Sequence, residues 1–291
     1  MSAHSNGTDL FDQLEINQES EIKKFKSLER YRNEMYQFYS WVVSDVGQGQ
    51  YIPQRYRESA SGRLYSFGYA NLQNAPKVIR HCLLAGQYDY DIENCHFTLF
   101  SQLAKKNGYI TEGINEYILK KHETRKSLTD ALGMTDIDLI KKSLVSIIYG
   151  SKETVYHKAA IPKYLGSQRA KLFYSMPIVK AIIKDVRIGS KIILDNQHSN
   201  QRGNIKNVLG KNIDANLEPR YLISHLLQGL EAKMLLIARR LFAVKITLLQ
   251  HDGFTCIGPI DRQLLEETIK KETGYTVEYS EEKLKAPIEL D

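Results

Sequence analysis

Three short stretches of this 291-residue chain carry side chains suited to phosphoryl chemistry. The first, "QYDYDIENC", places Asp89, Asp91 and Glu93 at a spacing of two, which in a strand puts all three carboxylates on one face. Such a face is either solvated or a cation site. The second, "IDLIKKSLVSIIYGSKE", sets Lys141, Val145 and Tyr149 along one helical face, with Gly150 to end the helix. A lysine, a small residue and a tyrosine in line could follow a triphosphate, a sugar and a base; the same pattern also fits an amphipathic surface helix. The third, "LLQHDGFTCIG", shows His251, Asp252 and Gly253 between two apolar runs. It reads as two short strands around a tight turn, where Asp-Gly alone would suffice. By itself it fits a hairpin with a polar tip. If Asp252 lies on a strand beside Asp91, the two carboxylates can hold a pair of Mg²⁺ ions about 4 Å apart. Such a pair stabilises the attacking and leaving oxygens of an in-line phosphoryl transfer. Lys141 would then neutralise charge on the phosphates and could protonate a leaving pyrophosphate.

The elements that must position these groups follow from periodicity. Residues 15 to 46 carry Ile22, Phe25, Leu28, Tyr31, Met35, Phe38 and Trp41 at helical spacing. A connector, "SDVGQGQYIPQRYRESASGRLYS", is either a linker or a phosphate-handling loop. A strand is expected near residue 90 and a helix over 96–108, with further helical segments over 112–132, 136–148 and 163–187. "DNQHSNQRGNIKNVLGKN" is a loop or small hairpin. A long apolar helix over 220–243 leads into the His-Asp-Gly hairpin, and a helix at 261–273 and a strand at 275–279 close the pattern. Helices clustered between one strand near residue 90 and two near residue 250 predict an α+β layout, an antiparallel sheet with helices packed on it.

The composition, 42% apolar and 25% charged, is that of an ordinary soluble globular chain. No apolar run reaches the roughly 18 residues of a membrane span, and "MSAHSNGTDL" lacks the apolar core of a secretory signal. Cys82, Cys95 and Cys256 lie far apart and form no metal or disulfide pattern, which fits a reducing compartment. A cytoplasmic location is expected. The net charge of +6 leans towards a polyanionic partner.

Taken together, the stretches are more specific than any one. An acid on a strand, a helix with Lys-x7-Tyr-Gly, and a His-Asp hairpin follow the order of the three polymerase motifs of the family-A polymerases. That family includes bacterial-type DNA polymerases and the single-subunit RNA polymerases of phages and mitochondria. "GRLYSFGYANLQNAP" resembles the stretch before the first motif. "DIENCHFTLFSQLA" resembles the first motif, "KKSLVSIIYGSKE" the second, "SHLLQGLEAKM" the helix before the third, and "QHDGF" the third. The resemblance covers roughly residues 62–280. It implies an α+β right-hand palm with helical fingers and a rudimentary thumb. Residues 1–60 would be the thumb-like remnant, 61–110 and 216–291 the palm, and 111–215 the fingers. Asp91, Ile92 and Asp252 would bind metal, namely two Mg²⁺ ions, with Mn²⁺ as the alternative. Lys141 would hold the triphosphate, Tyr149 would lie beside the sugar and base, and His251 would approach the primer or product end. Gly150, His96 and Arg125 would join the nucleotide site, and Arg63, Asn71, Gln73, Arg80 and Gln228 would contact nucleic acid. The expected partners are a DNA or RNA template and nucleoside triphosphates, with a second polypeptide to supply missing thumb or template-binding function.

Three departures qualify the resemblance. The arginine usually found four residues before the motif lysine is Ile137 here, with Arg125 or Lys126 as substitutes. The position five after the first aspartate is a glutamate in the DNA enzymes and a glycine in the phage RNA enzymes; here it is His96. The chain also leaves no room for an exonuclease or promoter-binding domain. The resulting expectation is a small DNA-dependent RNA polymerase or primase. The alternatives are a minimal DNA polymerase and one subunit of a split RNA polymerase.

Overall fold

The computed structural model describes residues 29–30, 32–33, 54–68, 71–75 and 77–285, and most of the helix expected over 15–46 lies outside them. The chain divides into two compact units. The larger comprises Glu58–Leu64 and Gln87–Lys283; the smaller comprises Tyr65–Gly86 with the segments up to Arg57 and from Leu284.

Strands β1 (Arg55–Glu58) and β2 (Leu64–Phe67) pair as a two-stranded hairpin. Its turn is closed by the Ser59 N–H donating to the Arg63 carbonyl and the Gly62 N–H donating to the Ser59 carbonyl, both at 2.9 Å. Gly62 is required there: its φ is +93°, and a Cβ would stand 2.4 Å from Leu209 Cδ1. In the smaller unit α1 spans Lys77–Leu83.

The larger unit continues with β3 (Tyr88–Ile92), α2 (Cys95–Lys106), α3 (Glu112–Leu119), α4 (Lys121–Ala131) and α5 (Ile137–Ile148). It then runs through α6 (Ala160–Leu165), α7 (Ser167–Ser175), α8 (Pro177–Asp195), the small hairpin β4 (Asn204–Lys206) and β5 (Asn212–Asp214), and the long α9 (Pro219–Phe242). It closes with β6 (Ile246–Leu249), β7 (Gly253–Cys256), α10 (Arg262–Thr273) and β8 (Tyr279–Lys283). The main sheet has the order β6-β7-β3-β8 and is antiparallel throughout. This is the expected α+β layout.

Local chemistry explains the boundaries. Asp136 caps α5 by accepting from the Asp138 N–H, and Asp261 caps α10 by accepting from the Leu264 N–H. Pro177 starts α8, and Gly274, at φ 70°, ends α10. On β3, Tyr90 and Ile92 are buried, and Tyr90 stacks on Phe254 of β7 with ring centroids 5.3 Å apart. Helix α9 buries Leu222, Ile223, Leu227, Leu230, Met234 and Leu235, so it is an interior helix rather than a surface one.

The last strand differs from expectation. Tyr275, Val277 and Tyr279 alternate and are all buried, which mimics a strand over 275–279. Pairing begins only at Tyr279, opposite Ile92, and runs to Lys283, opposite Tyr88. Since β3 ends at Ile92, residues 275–278 run past the end of their partner strand. Beyond the ladder, the Glu93 N–H still donates to the Glu278 carbonyl at 2.8 Å. Likewise the segment expected over 112–132 is two helices, α3 and α4, that meet at Lys120. No helix among the described residues is long and apolar enough to cross a membrane.

Candidate active site

Strand β3 and the β6–β7 hairpin bring the two aspartates together. Asp91 pairs opposite Gly253, and the hairpin is closed by the Gln250 N–H donating to the Gly253 carbonyl at 2.8 Å. Asp252 therefore stands at the tip, next to the end of β3, and the Asp91 and Asp252 carboxyls are within hydrogen-bonding reach. Asp91 is exposed by accessible surface, yet protein crowds its carboxyl. That desolvation, followed by the charge of Asp252, pushes its pKa well above the usual carboxylate range, while the charge of Lys141 pulls the other way. Two carboxyls that resist joint ionisation fit an oxygen-ligating divalent cation. Ile92 is a buried apolar side chain, so only its carbonyl could add a ligand. Asp89 has a different role: it accepts from Gln250 Nε2 at 2.6 Å and Thr255 Oγ1 at 2.8 Å, which braces the hairpin. Glu93 lies beyond the strand and pairs with Lys121.

Helix α5 presents Lys141 and Tyr149 to one cavity of about 960 Å³, together with Lys142, Lys152 and Arg220. Tyr149 caps the helix, and Gly150 follows at φ 70°. A Cβ on Gly150 would lie 2.8 Å from the Cβ of Arg220, so glycine permits the approach of α9 as well as the turn. Arg125 does not line this cavity. Its Nε donates to the Tyr117 hydroxyl at 2.8 Å, and its guanidinium lies 5.6 Å from that ring. Arg220 is the arginine found there, and the sequence reading did not single it out.

A sharp turn links β3 to α2. Asn94 adopts the left-handed conformation, φ 50°, which asparagine tolerates better than most residues. It places His96 in the first turn of α2. The His96 ring lies 5.0 Å from that of Tyr149, tilted by 59°. His96 Nε2 is 3.0 Å from Glu231 Oε2, and Arg63 donates to the same oxygen at 2.5 Å. Glu231 sits inside α9 with its side chain fully buried. Burial pushes its pKa up, but the hydrogen bond from His96 and the charge of Arg63 outweigh that and hold it below the ordinary range. Burial pushes the pKa of Tyr149 up. It pushes that of His251 down, and Arg63 adds to the effect.

Cys95, His96 and Glu231 offer three ligand atoms within 4.8 Å of one another. Arg63 and His96 both contact Oε2 of that carboxylate, and burial pushes the pKa of the Cys95 thiol up, against the thiolate a metal needs. That trio is therefore a poor cation site.

The residues expected to contact nucleic acid are placed as follows. Arg63 is buried and committed to Glu231. Gln228 accepts from Ser61 Oγ at 2.9 Å and donates to Ser224 Oγ at 3.1 Å, tying the β1–β2 turn to α9. In the smaller unit, Gln73 accepts from the Ser66 N–H at 2.9 Å and Asn71 donates to the Ser66 carbonyl at 3.0 Å, so both brace their own loop. Arg80 is half-buried on α1.

Glu231, like Arg220, is a site residue the sequence reading missed. The signal for Glu231 was a lone acid in the mostly apolar "LLQGLEAKMLLIA", a position that burial would make costly without a partner.

No protein-family model matches the chain, and no curated protein does. Among solved structures it is similar to the POL domain of Pol1 from M. smegmatis, in complex with DNA primer-template and dNTP, at 17% identity and a TM-score of 0.58. The match covers 89% of this chain and 51% of that one, so the chain spans about half that structure's length. The likeness shows the fold: an α+β polymerase palm with helical fingers.

Proposed function

We propose that this chain is a template-directed nucleotidyltransferase. The observation that carries the reading is the meeting of Asp91, on β3, and Asp252, at the tip of the β6–β7 hairpin, within range of the charge of Lys141. Asp91 and Asp252, with the Ile92 carbonyl, would hold divalent cations, Mg²⁺ first and Mn²⁺ second. When bound, the metal supplies Lewis-acid stabilisation of the attacking and leaving oxygens. Lys141 takes the triphosphate and offsets charge on the departing pyrophosphate. Tyr149 and Gly150 border the sugar and base, and His251 borders the primer or product end. Palm function belongs to residues 61–110 and 216–291, and finger function to 111–215. The partners are a DNA or RNA template and nucleoside triphosphates, with a second polypeptide contributing template capture.

Ribonucleotide use, as by a small RNA polymerase or primase, is the favoured form. His96 stands where the DNA enzymes carry a glutamate that blocks a ribose 2′-OH, and an imidazole can instead pair with that hydroxyl. DNA synthesis is the second reading, supported by the likeness to a structure that holds DNA primer-template and dNTP. Primer extension with labelled NTPs and dNTPs, in parallel on DNA and RNA templates, tests both. Extension with NTPs alone supports the first reading, extension with dNTPs alone supports the second, and none with either rejects the class.

A further inference from the structure

We propose that Glu231 sets sugar discrimination at this site as a positioning residue that fixes the tautomer and placement of His96. The inference deepens the reading above and rests on it.

Hydrogen-bond chemistry constrains the ring. An ionised carboxylate only accepts, so the 3.0 Å contact between Glu231 Oε2 and His96 Nε2 requires the proton on Nε2. Arg63, which only donates, lies 3.4 Å from the same nitrogen but 2.5 Å from Glu231 Oε2. Its proton goes to the carboxylate, and Nε2–H does the same. The ring is thus held at its Nε2 edge from α9 and lies against Tyr149. Nδ1 makes no hydrogen bond among the described residues, and the His96 side chain keeps 15% exposure. In this tautomer Nδ1 is the acceptor, a partner to which a ribose 2′-OH can donate and which deoxyribose, without that hydroxyl, leaves unpaired.

The position of Glu231 is unusual for a group that serves stability alone. A fully buried ion pair stabilises little compared with apolar side chains of the same volume. Glu231 also keeps Oε1 buried without a hydrogen-bond partner. Apolar packing along α9 would hold the fold equally well; it would leave the His96 tautomer free.

Two readouts on the full chain test this. The first is the ring-nitrogen NMR spectrum of histidine-labelled protein, with His96 assigned by loss of its signals in His96→Gln. The wild type is expected to show the Nε2–H tautomer, and Glu231→Gln to lose that preference. The second is the ratio of kcat/KM for NTP over dNTP. It is expected to fall about tenfold in Glu231→Gln, the size of one lost polar pairing, and to recover in part in Glu231→Asp. If Glu231→Gln does not fold, Arg63→Met with Glu231→Met removes both charges together and is expected to show the same fall. An Nδ1–H tautomer in the wild type would overturn the proposal. So would an unchanged ratio in a folded Glu231 variant beside an active wild type. A wild type that incorporates neither nucleotide would overturn the sugar-selection claim together with the functional reading.

Discussion

The main-chain N–H of Ile92 donates to the carbonyl oxygen of Asp252 at 3.1 Å. This bond lies one step past the Asp91–Gly253 pair and fastens the end of β3 to the hairpin tip. Backbone pairing therefore sets the spacing of the two carboxylates. Their mutual repulsion is borne by the sheet.

Gly253 makes that approach possible. A Cβ there would lie 2.2 Å from the Tyr90 carbonyl oxygen and 3.1 Å from Asp91 Oδ1. Gly253→Ala must therefore spread β3 from β7. The expected cost is about 1–3 kcal/mol, read by urea unfolding, with a parallel loss of nucleotide incorporation. Unchanged stability would mean that the two strands do not approach this closely.

The aspartate pair makes a prediction for the metal-free protein. A group whose folded pKa is raised contributes stability below its unfolded pKa and loses it as pH rises through the folded value. Asp91 is such a group, through desolvation and then Asp252. Metal-free wild type should lose thermal stability as pH climbs out of the ordinary carboxylate range. Mg²⁺ should restore it by binding the ionised pair. Asp252→Ala should show a weaker pH slope and little response to Mg²⁺. An equal Mg²⁺ response in that variant would place the metal elsewhere.

Lys141→Ala should lower turnover about a hundredfold or more, the usual size of one charge contact to a reacting phosphate. The loss should appear in kcat as well as KM, since charge grows on the leaving group during the reaction. Unchanged kinetics would assign the contact to Lys142 or Lys152, which line the same cavity.

Glu231 behaves oppositely to Asp91. It faces Arg63 and His96 directly, with Cys95, Tyr149 and His251 nearby. Its pKa is held below the ordinary glutamate range. It therefore contributes stability above that range, lost as pH falls through the lower folded value. Wild type should destabilise in acid more steeply than the Arg63→Met, Glu231→Met double variant in chemical unfolding from about pH 6 to pH 3. Equal slopes would contradict the pairing.

Much of this was legible in the sequence because period and order carry it. The spacing of Asp91 within its strand, the Lys141–Tyr149 helix face and the His-Asp-Gly turn each follow from local geometry. Their order along the chain matched a known arrangement. The Arg63–Glu231–His96 cluster was not legible in that way. Its members come from a hairpin turn, an interior helix and the first turn of α2, and no periodicity relates positions so far apart. The strand at 279–283 was misplaced for a related reason. Alternating burial at Tyr275, Val277 and Tyr279 is local, whereas the length of β3, which decides where pairing begins, is not. Arg125 was expected at the nucleotide as a substitute for the motif arginine that Ile137 replaces; its hydrogen bond to the Tyr117 hydroxyl is a tertiary fact.

In the proposed function, Asp91 and Asp252 together carry metal-dependent nucleotidyl transfer. Single-nucleotide incorporation on a primer-template, measured against Mg²⁺ concentration for wild type, Asp91→Ala, Asp252→Ala and Asp89→Ala, tests it most directly. Wild type should show Mg²⁺-dependent incorporation, and Asp91→Ala and Asp252→Ala, both still folded, should show none. Asp89→Ala should remain active, though less stable, because its carboxylate accepts from Gln250 and Thr255 and so braces the hairpin. Near-normal incorporation by Asp252→Ala, or an inactive Asp89→Ala beside an active Asp91→Ala, would contradict it.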